Sequence, residues 1–355
     1  MDLNYILIWM VGVSAAVTLV RLTRMGARLY RGWIIVNGGL LALLGAGLAC
    51  FPAWAGYVTG AGWMLFVLIP SFGTRVVWRW GMQQRYVAAW RLAMVLRWLH
   101  PFDVDRCRPS LLWAMWLAQR GETEKAVGIL RRLVAHGGMT GRAAAAQMYR
   151  IAGRWEELVE WVDNSVGMSG LLRDVGVLLS YVRALGETGN LERMLWVYAQ
   201  YGGALERSGH QPSRNLCRMM MMAFCGRTAA VEELLLESLD WLPVTAQEFW
   251  RATAEAAAGE ADKSRQRLTR LLEWETDMVA RAAIERRLSV PVKVATETMV
   301  ESVLEETEEP RAVFSWRTAY VTQAIIAMNV AMFALEIFAG GSENEMVLVK
   351  LGAVS

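Results

Sequence analysis

Three stretches within the first 72 residues carry no charged side chain, and each is about as long as a bilayer core is thick. They are LNYILIWMVGVSAAVTLV from Leu3, WIIVNGGLLALLGAGLACF from Trp33 and WAGYVTGAGWMLFVLIPSF from Trp54. A helix needs about 20 apolar residues to cross the hydrocarbon region. Lipid offers the backbone no hydrogen bonds, so each stretch must be helical. The first is preceded by Asp2 and is followed by no small-residue cleavage site, which predicts a retained anchor instead of a signal peptide. A fourth apolar stretch runs from Ala319 to Ala339, and between these ends the chain alternates polar and apolar residues as water-soluble helices do. The total of 55% hydrophobic residues is high for a chain without membrane segments.

The net charge of +3 is unevenly distributed. The first 100 residues hold nine Arg and one acid, Asp2, which leaves the remainder at about −5. Arg21, Arg24, Arg28 and Arg31 fill the first connection, the second has no charge, and Arg75, Arg79, Arg85, Arg91 and Arg97 follow the third span. The positive-inside rule then places the N-terminus outside and residues from about 75 onward in the cytoplasm. Trp33, Trp54, Trp78 and Trp80 fall at span ends, where an indole is favoured. Because the arginines flank apolar spans, their number does not call for a nucleic-acid partner. Gly56 and Gly60 form a GxxxG, compatible with close helix contact or with a bend. The segment QQRYVAAWRLAMVLRWLH suits either a helix on the inner membrane surface or one packed on the domain that follows.

Five segments align on a glycine: LAQRGETEKAVGIL, YRIAGRWEELVEWV, LGETGNLERMLWVY, MAFCGRTAAVEELL and EAAAGEADKSRQRL. Gly121, Gly153, Gly189, Gly226 and Gly259 are 32, 36, 37 and 33 residues apart, the spacing of repeated helical hairpins. Nine residues after the glycine stand Leu130, Val162, Tyr198, Leu235 and Leu268. Four before it stand Leu117, Tyr149, Leu185, Met222 and, as an exception, Glu255. In this register RMMMMAF, from Arg218 to Phe224, belongs to the first helix of the fourth hairpin and is expected in its core. The array resembles the tetratricopeptide repeat, most closely at Leu117, Ala118, Gly121 and Ala126. The resemblance implies a superhelical array with a concave surface for a protein partner.

No catalytic, cofactor-binding or metal-binding residue is assigned. VGMSG contains a GxSG at Ser169, but a serine nucleophile needs a base and an oxyanion site, and His100, His136 and His210 come with no partner motif. Ser169 is therefore expected in a connection between hairpins. Cys50, Cys107, Cys217 and Cys225 form no CxxC and lie at no metal-ligand spacing with histidine, which leaves them as packing thiols. No Walker lysine loop and no HExxH occurs.

After an acidic segment ending near Arg311, the chain closes on RTAYVTQAIIAMNVAMFALEIFAGGSENEMVLVKLGAVS, from Arg317. Thr322, Ala327, Asn329, Val330, Phe333, Glu336, Gly340, Gly341, Ser342, Leu351, Gly352 and Ala353 resemble the first core helix and first external loop of rhomboid intramembrane serine proteases. The resemblance covers about a tenth of the chain. It implies a helix running outward from the cytoplasm, in agreement with the arginine distribution, and a serine–histidine protease without metal or organic cofactor. The catalytic elements of that family would lie beyond Ser355, so the chain is expected to be the front part of a longer protein.

The expected fold class is all-α, with multi-span membrane helices flanking a cytoplasmic, tetratricopeptide-like helical solenoid. The expected domains are a three-span anchor (1–74), a basic juxtamembrane helix (75–103), helical repeats (104–290), an acidic linker (291–316), and the start of a rhomboid core (317–355). The expected partners are the lipid bilayer, a protein on the concave face of the array and, for the longer protein, a transmembrane substrate. The expected location is multi-pass in a bacterial cytoplasmic membrane. The alternative function is a membrane-tethered adaptor without chemistry.

Overall fold

The computed structural model describes residues 3–26, 30–99, 107–171, 174–207 and 211–290. The acidic linker and the rhomboid-like stretch lie outside the described residues. Among those described every regular element is helical and none is a strand. Contacts divide the chain into two compact units, one built on the first 72 residues and one on Gly73–Arg97 together with Asp105–Glu308.

The first unit begins with α1 (Leu3–Gly26), α2 (Arg31–Cys50) and α3 (Pro52–Trp63), and a π turn, Met64–Leu68, carries α3 into α4 (Ile69–Met82). Three helical runs, Leu3–Arg24, Arg31–Cys50 and Pro52–Met82, are long and apolar enough to cross a membrane. Their large apolar side chains point outward as well as inward: Trp9, Val17, Phe51 and Trp54 are exposed. In water that arrangement would be unfavourable, whereas lipid leaves it no cost. Phe51 alone separates α2 from α3, and Pro52 opens the new helix where its missing N–H has no intrahelical role. Deeper in the third run Pro70 cannot donate to residue 66, and the π turn before it closes with the Ile69 N–H donating to the Met64 carbonyl.

The face of α3 that carries Gly56 and Gly60 rests on α1. A Cβ added at Gly56 would lie 2.1 Å from the Asn4 carbonyl oxygen, and one at Gly60 would lie 3.2 Å from Leu7 Cδ2. This close approach lets the Asn4 amide span one rung of α3: Oδ1 accepts from the Gly56 N–H at 2.7 Å, and Nδ2 donates to the Pro52 carbonyl at 2.8 Å. Further along, the Trp63 indole donates to Ser14 Oγ at 3.2 Å. The GxxxG is thus a helix contact, and the Asn4 side chain hydrogen-bonds across it. Replacing Gly56 by Val is expected to separate α1 from α3. A cysteine pair introduced at Ser14 and Trp63, bridged by a short bifunctional reagent in the native background, should lose that cross-link in the Gly56→Val background.

In the second unit α5 (Tyr86–Leu99) buries Tyr86, Ala89, Ala93 and Leu96 along one face and leaves Arg91, Val95 and Arg97 exposed. Leu96 packs where Gly73 has no side chain. Five helix pairs follow: α6 (Arg108–Gln119) with α7 (Thr123–His136), α8 (Gly138–Ala152) with α9 (Trp155–Trp161), α11 (Val175–Glu187) with α12 (Leu191–Arg207), α13 (Gln211–Phe224) with α14 (Thr228–Glu237), and α15 (Val244–Ala257) with α16 (Ala261–Trp274). A π turn, Val162–Val166, and the short α10 (Gly167–Leu171) join the second pair to the third, and α17 (Met278–Ser289) follows the fifth. Each helix contacts its hairpin partner, and the first helices of successive pairs contact one another.

The aligned glycines are the turn of every pair. All five have φ between +65° and +88°. In each pair the glycine N–H donates three residues back and the next N–H donates to the residue four before the glycine, as in Glu122 to Leu117, Arg154 to Tyr149 and Arg227 to Met222. This is the Schellman closure of a helix end, and it gives the position four before the glycine a backbone role in addition to packing. The residues five after the glycine, Ala126, Leu158, Met194, Val231 and Ser264, are buried, as are the five residues nine after it. Glu255, the polar exception, is buried and accepts from Arg267 Nε at 3.0 Å and Nη2 at 2.8 Å, so its charge is paired. Ser264 likewise donates to the Ala252 carbonyl at 2.7 Å.

Gly226 combines two constraints: φ is +72°, and an added Cβ would lie 2.9 Å from backbone atoms of Ala257 and Ala258. Gly226→Ala is expected to cost about 1–2 kcal/mol for the left-handed backbone alone, with the clash against backbone added to it. A thermal melt of the purified chain checks this, and an unchanged midpoint would contradict the assignment. Met219 to Met222 are all buried with Phe224, which places the methionine run in the core and not on a surface.

Candidate functional site

The first helices of the hairpins, together with the end of α4 and with α17, line a recess in the second unit. Met115 of α6, Arg150 of α8, Arg183 of α11, Met220 of α13 and Trp250 of α15 contribute from the hairpins, and Trp78, Gln84 and Tyr86 from the end of α4 and the turn into α5. A more enclosed part is lined by Trp155, Phe249 and, from α17, Val279, Ala283 and Arg286. The wider part measures about 330 Å³. α17 packs on α6 as well as on α15 and α16, which brings the end of the array back to its beginning.

The rim is fixed by polar contacts. Gln119 Nε2 donates to Asp277 Oδ2 at 2.7 Å and to the Gln84 carbonyl at 3.2 Å. Asp277 caps α17, Oδ1 accepting from the N–H groups of Val279 at 2.8 Å and Ala280 at 3.2 Å. Gln84 has φ +61°, an uncommon conformation for a residue with a side chain. Strain of this kind persists where surrounding contacts enforce it, and it gathers at functional positions.

The lining is electropositive. Arg108, Arg150, Arg183 and Arg286 line the recess against one acid, Asp277, which is already engaged. The Arg183 guanidinium lies 5.2 to 5.4 Å from the ring centres of Trp155, Phe249 and Trp250, and Arg287 lies 5.3 Å from Phe224 and 5.6 Å from Phe249. Such cation–π contacts help hold a charge among aromatic walls. Glu187 is shared: Oε2 accepts from Arg287 Nη2 at 2.7 Å and Oε1 faces Arg183 Nε at 3.4 Å. Burial pushes the Arg183 guanidinium down to about 10; Glu187 acts against this, and the positive charges of Arg150 and Arg287 push it lower. Burial lowers Arg287 too, again opposed by Glu187. Both remain cations at neutral pH.

Ser169 falls in α10 and His136 ends α7, exposed, its Nδ1 2.7 Å from the Arg132 carbonyl oxygen. His100 and His210 lie outside the described residues. Burial pushes the Cys217 thiol up to about 12 and that of Cys225 to about 11, the behaviour of packing thiols. Among the described residues no three His, Cys, Asp or Glu side chains are grouped to hold a metal ion. The arginine recess went unnoticed in the sequence because it is assembled from helices far apart in the chain. A local signal did exist: Arg183 sits between buried Val182 and Ala184 in a helix that is otherwise almost wholly apolar. No family model matches this chain, and no curated protein or solved structure matches it.

Proposed function

We propose that the chain is the membrane-anchoring and protein-interaction portion of a rhomboid-type intramembrane serine protease. In this reading α1 to α4 hold the protein in a bacterial cytoplasmic membrane with its N-terminus outside. The hairpins form a degenerate tetratricopeptide-like array on the cytoplasmic side. That array receives a protein, a regulator or the cytoplasmic part of a transmembrane substrate, in its recess. The observation that carries the interaction role is the recess itself: an open, aromatic-walled cavity whose arginines outnumber its acids. Large concave sites with a few convergent polar groups are the usual places for ligands. The protease role rests on the sequence from Thr322 to Ala353, and the orientation on the arginine distribution.

Two experiments test the two parts. A photo-crosslinking amino acid at Leu179, which lines the recess, should capture a discrete partner in cells, and the same probe at exposed Leu236 on α14 should not. Equal capture at both positions, or none at Leu179, would remove the interaction role. Reading the coding sequence past Ser355 should reveal a GxSG within an apolar span and a later histidine in another. An immediate stop codon would leave the adaptor reading.

A further inference from the structure

We propose that the recess is an oxyanion-binding site, in which Arg150 and the indole N–H of Trp155 hold a carboxylate or phosphate carried by the occupant. The inference rests on the interaction reading above and specifies what the occupant must present. Arg183 and Arg287 already share Glu187, whereas the Arg150 side chain has no ion pair or hydrogen bond among the described residues. Its Nε is buried without a hydrogen-bond partner. Trp155 is 5% exposed, and its indole N–H is also unpartnered. One turn before Arg150, Gln147 has a buried, unpartnered amide oxygen, and rotation of that amide would present its NH₂ group instead.

Buried polar groups in native proteins are nearly always satisfied, so two orphan donors and one orphan acceptor on neighbouring turns call for a partner. The Arg150 guanidinium, without a counter-ion among the described residues, adds its charge to those of Arg183 and Arg287, and like charges crowded in a half-enclosed space repel one another and lose solvation. A two-oxygen anion answers both demands. It matches the guanidinium fork, accepts the indole N–H, and supplies the negative charge the lining lacks. The aromatic walls lower the local dielectric and strengthen the attraction.

The test uses the full chain purified in detergent, titrated with inorganic phosphate and, separately, with a tetraglutamate peptide at low and high salt. The native chain is expected to bind at least one of them, more weakly as salt rises. Arg150→Met should weaken binding at least ~10-fold, and Trp155→Phe, which keeps the ring but loses the N–H, should weaken it several-fold. Because the Arg150 side chain makes no hydrogen bond or ion pair among the described residues, Arg150→Met should melt at or above the native temperature without ligand. A lower melting temperature would indicate a structural arginine and overturn the proposal. Equal binding by Arg150→Met and the native chain, or no binding of either anion, would overturn it as well. Comparable affinity for phosphate and peptide marks a free anion as sufficient; preference for the peptide marks a carboxylate displayed by a protein. Anion binding without capture at Leu179 would leave this site standing and remove the protein-interaction role, and capture without anion binding would do the reverse.

Discussion

Replacing Glu187 by Gln should lower the stability of the hairpin unit by about 3–5 kcal/mol, the cost of leaving a buried charge without its partner. The Arg287 and Glu187 side chains are 5% and 10% exposed and meet at 2.7 Å, so solvent cannot compensate when the carboxylate is lost. Arg183 would lose its counter-charge in the same step, with Arg150 still nearby. For a unit of this length the shift corresponds to roughly 6–20 °C in the melting midpoint. A double replacement, Glu187→Leu with Arg287→Met, removes both buried charges and should cost less than Glu187→Gln alone. If the single and double variants melt within a degree of the native chain, the pair is more solvated than its burial states.

Phe224→Ala is the second large effect, expected at about 3–5 kcal/mol. Phe224 is fully buried, meets Trp250 edge-to-face at 5.8 Å between ring centres, and lies beneath the Arg287 guanidinium. Its ring occupies the space that Gly186 leaves open: a Cβ at Gly186 would come within 2.1 to 2.6 Å of three ring carbons, one of them Cγ at the root of the side chain. Gly186→Ala should therefore cost about 1–3 kcal/mol by overpacking, and combining it with Phe224→Leu should cost less than the sum of the two changes. Denaturant melts followed by tryptophan fluorescence would read both, Trp250 being the adjacent reporter. Strict additivity would mean that the glycine and the ring do not compete for the same space.

What could be read in the sequence was local. Apolar length pointed to the three helical runs that are long and apolar enough to cross a membrane, because lipid would impose one solution on the backbone. The five hairpin turns were legible because a left-handed turn demands glycine and a hairpin core demands apolar residues at fixed offsets from it. Leu130, Val162 and Leu235, nine residues after their glycines, occupy such an offset at almost no exposure. The Gly56 and Gly60 motif was visible, but its partner was not, since nothing near it names Asn4, 52 residues away. The return of α17 to α6 left no trace of any period either. It is set by single contacts, such as Gln119 with Asp277, across 158 residues of chain. The recess and its arginines depend on that return, so they became apparent only once α8, α11 and α17 were seen together.

Sealed membrane vesicles of known orientation, carrying the full chain and treated with protease, test the central claim most directly: that apolar helices thread the chain through lipid and hold the hairpins on its arginine-rich side. In right-side-out vesicles the hairpin unit should survive intact, and in inverted vesicles it should be digested down to the membrane helices. Digestion in the right-side-out vesicles, or release of the chain from the membrane by alkaline carbonate, would contradict it.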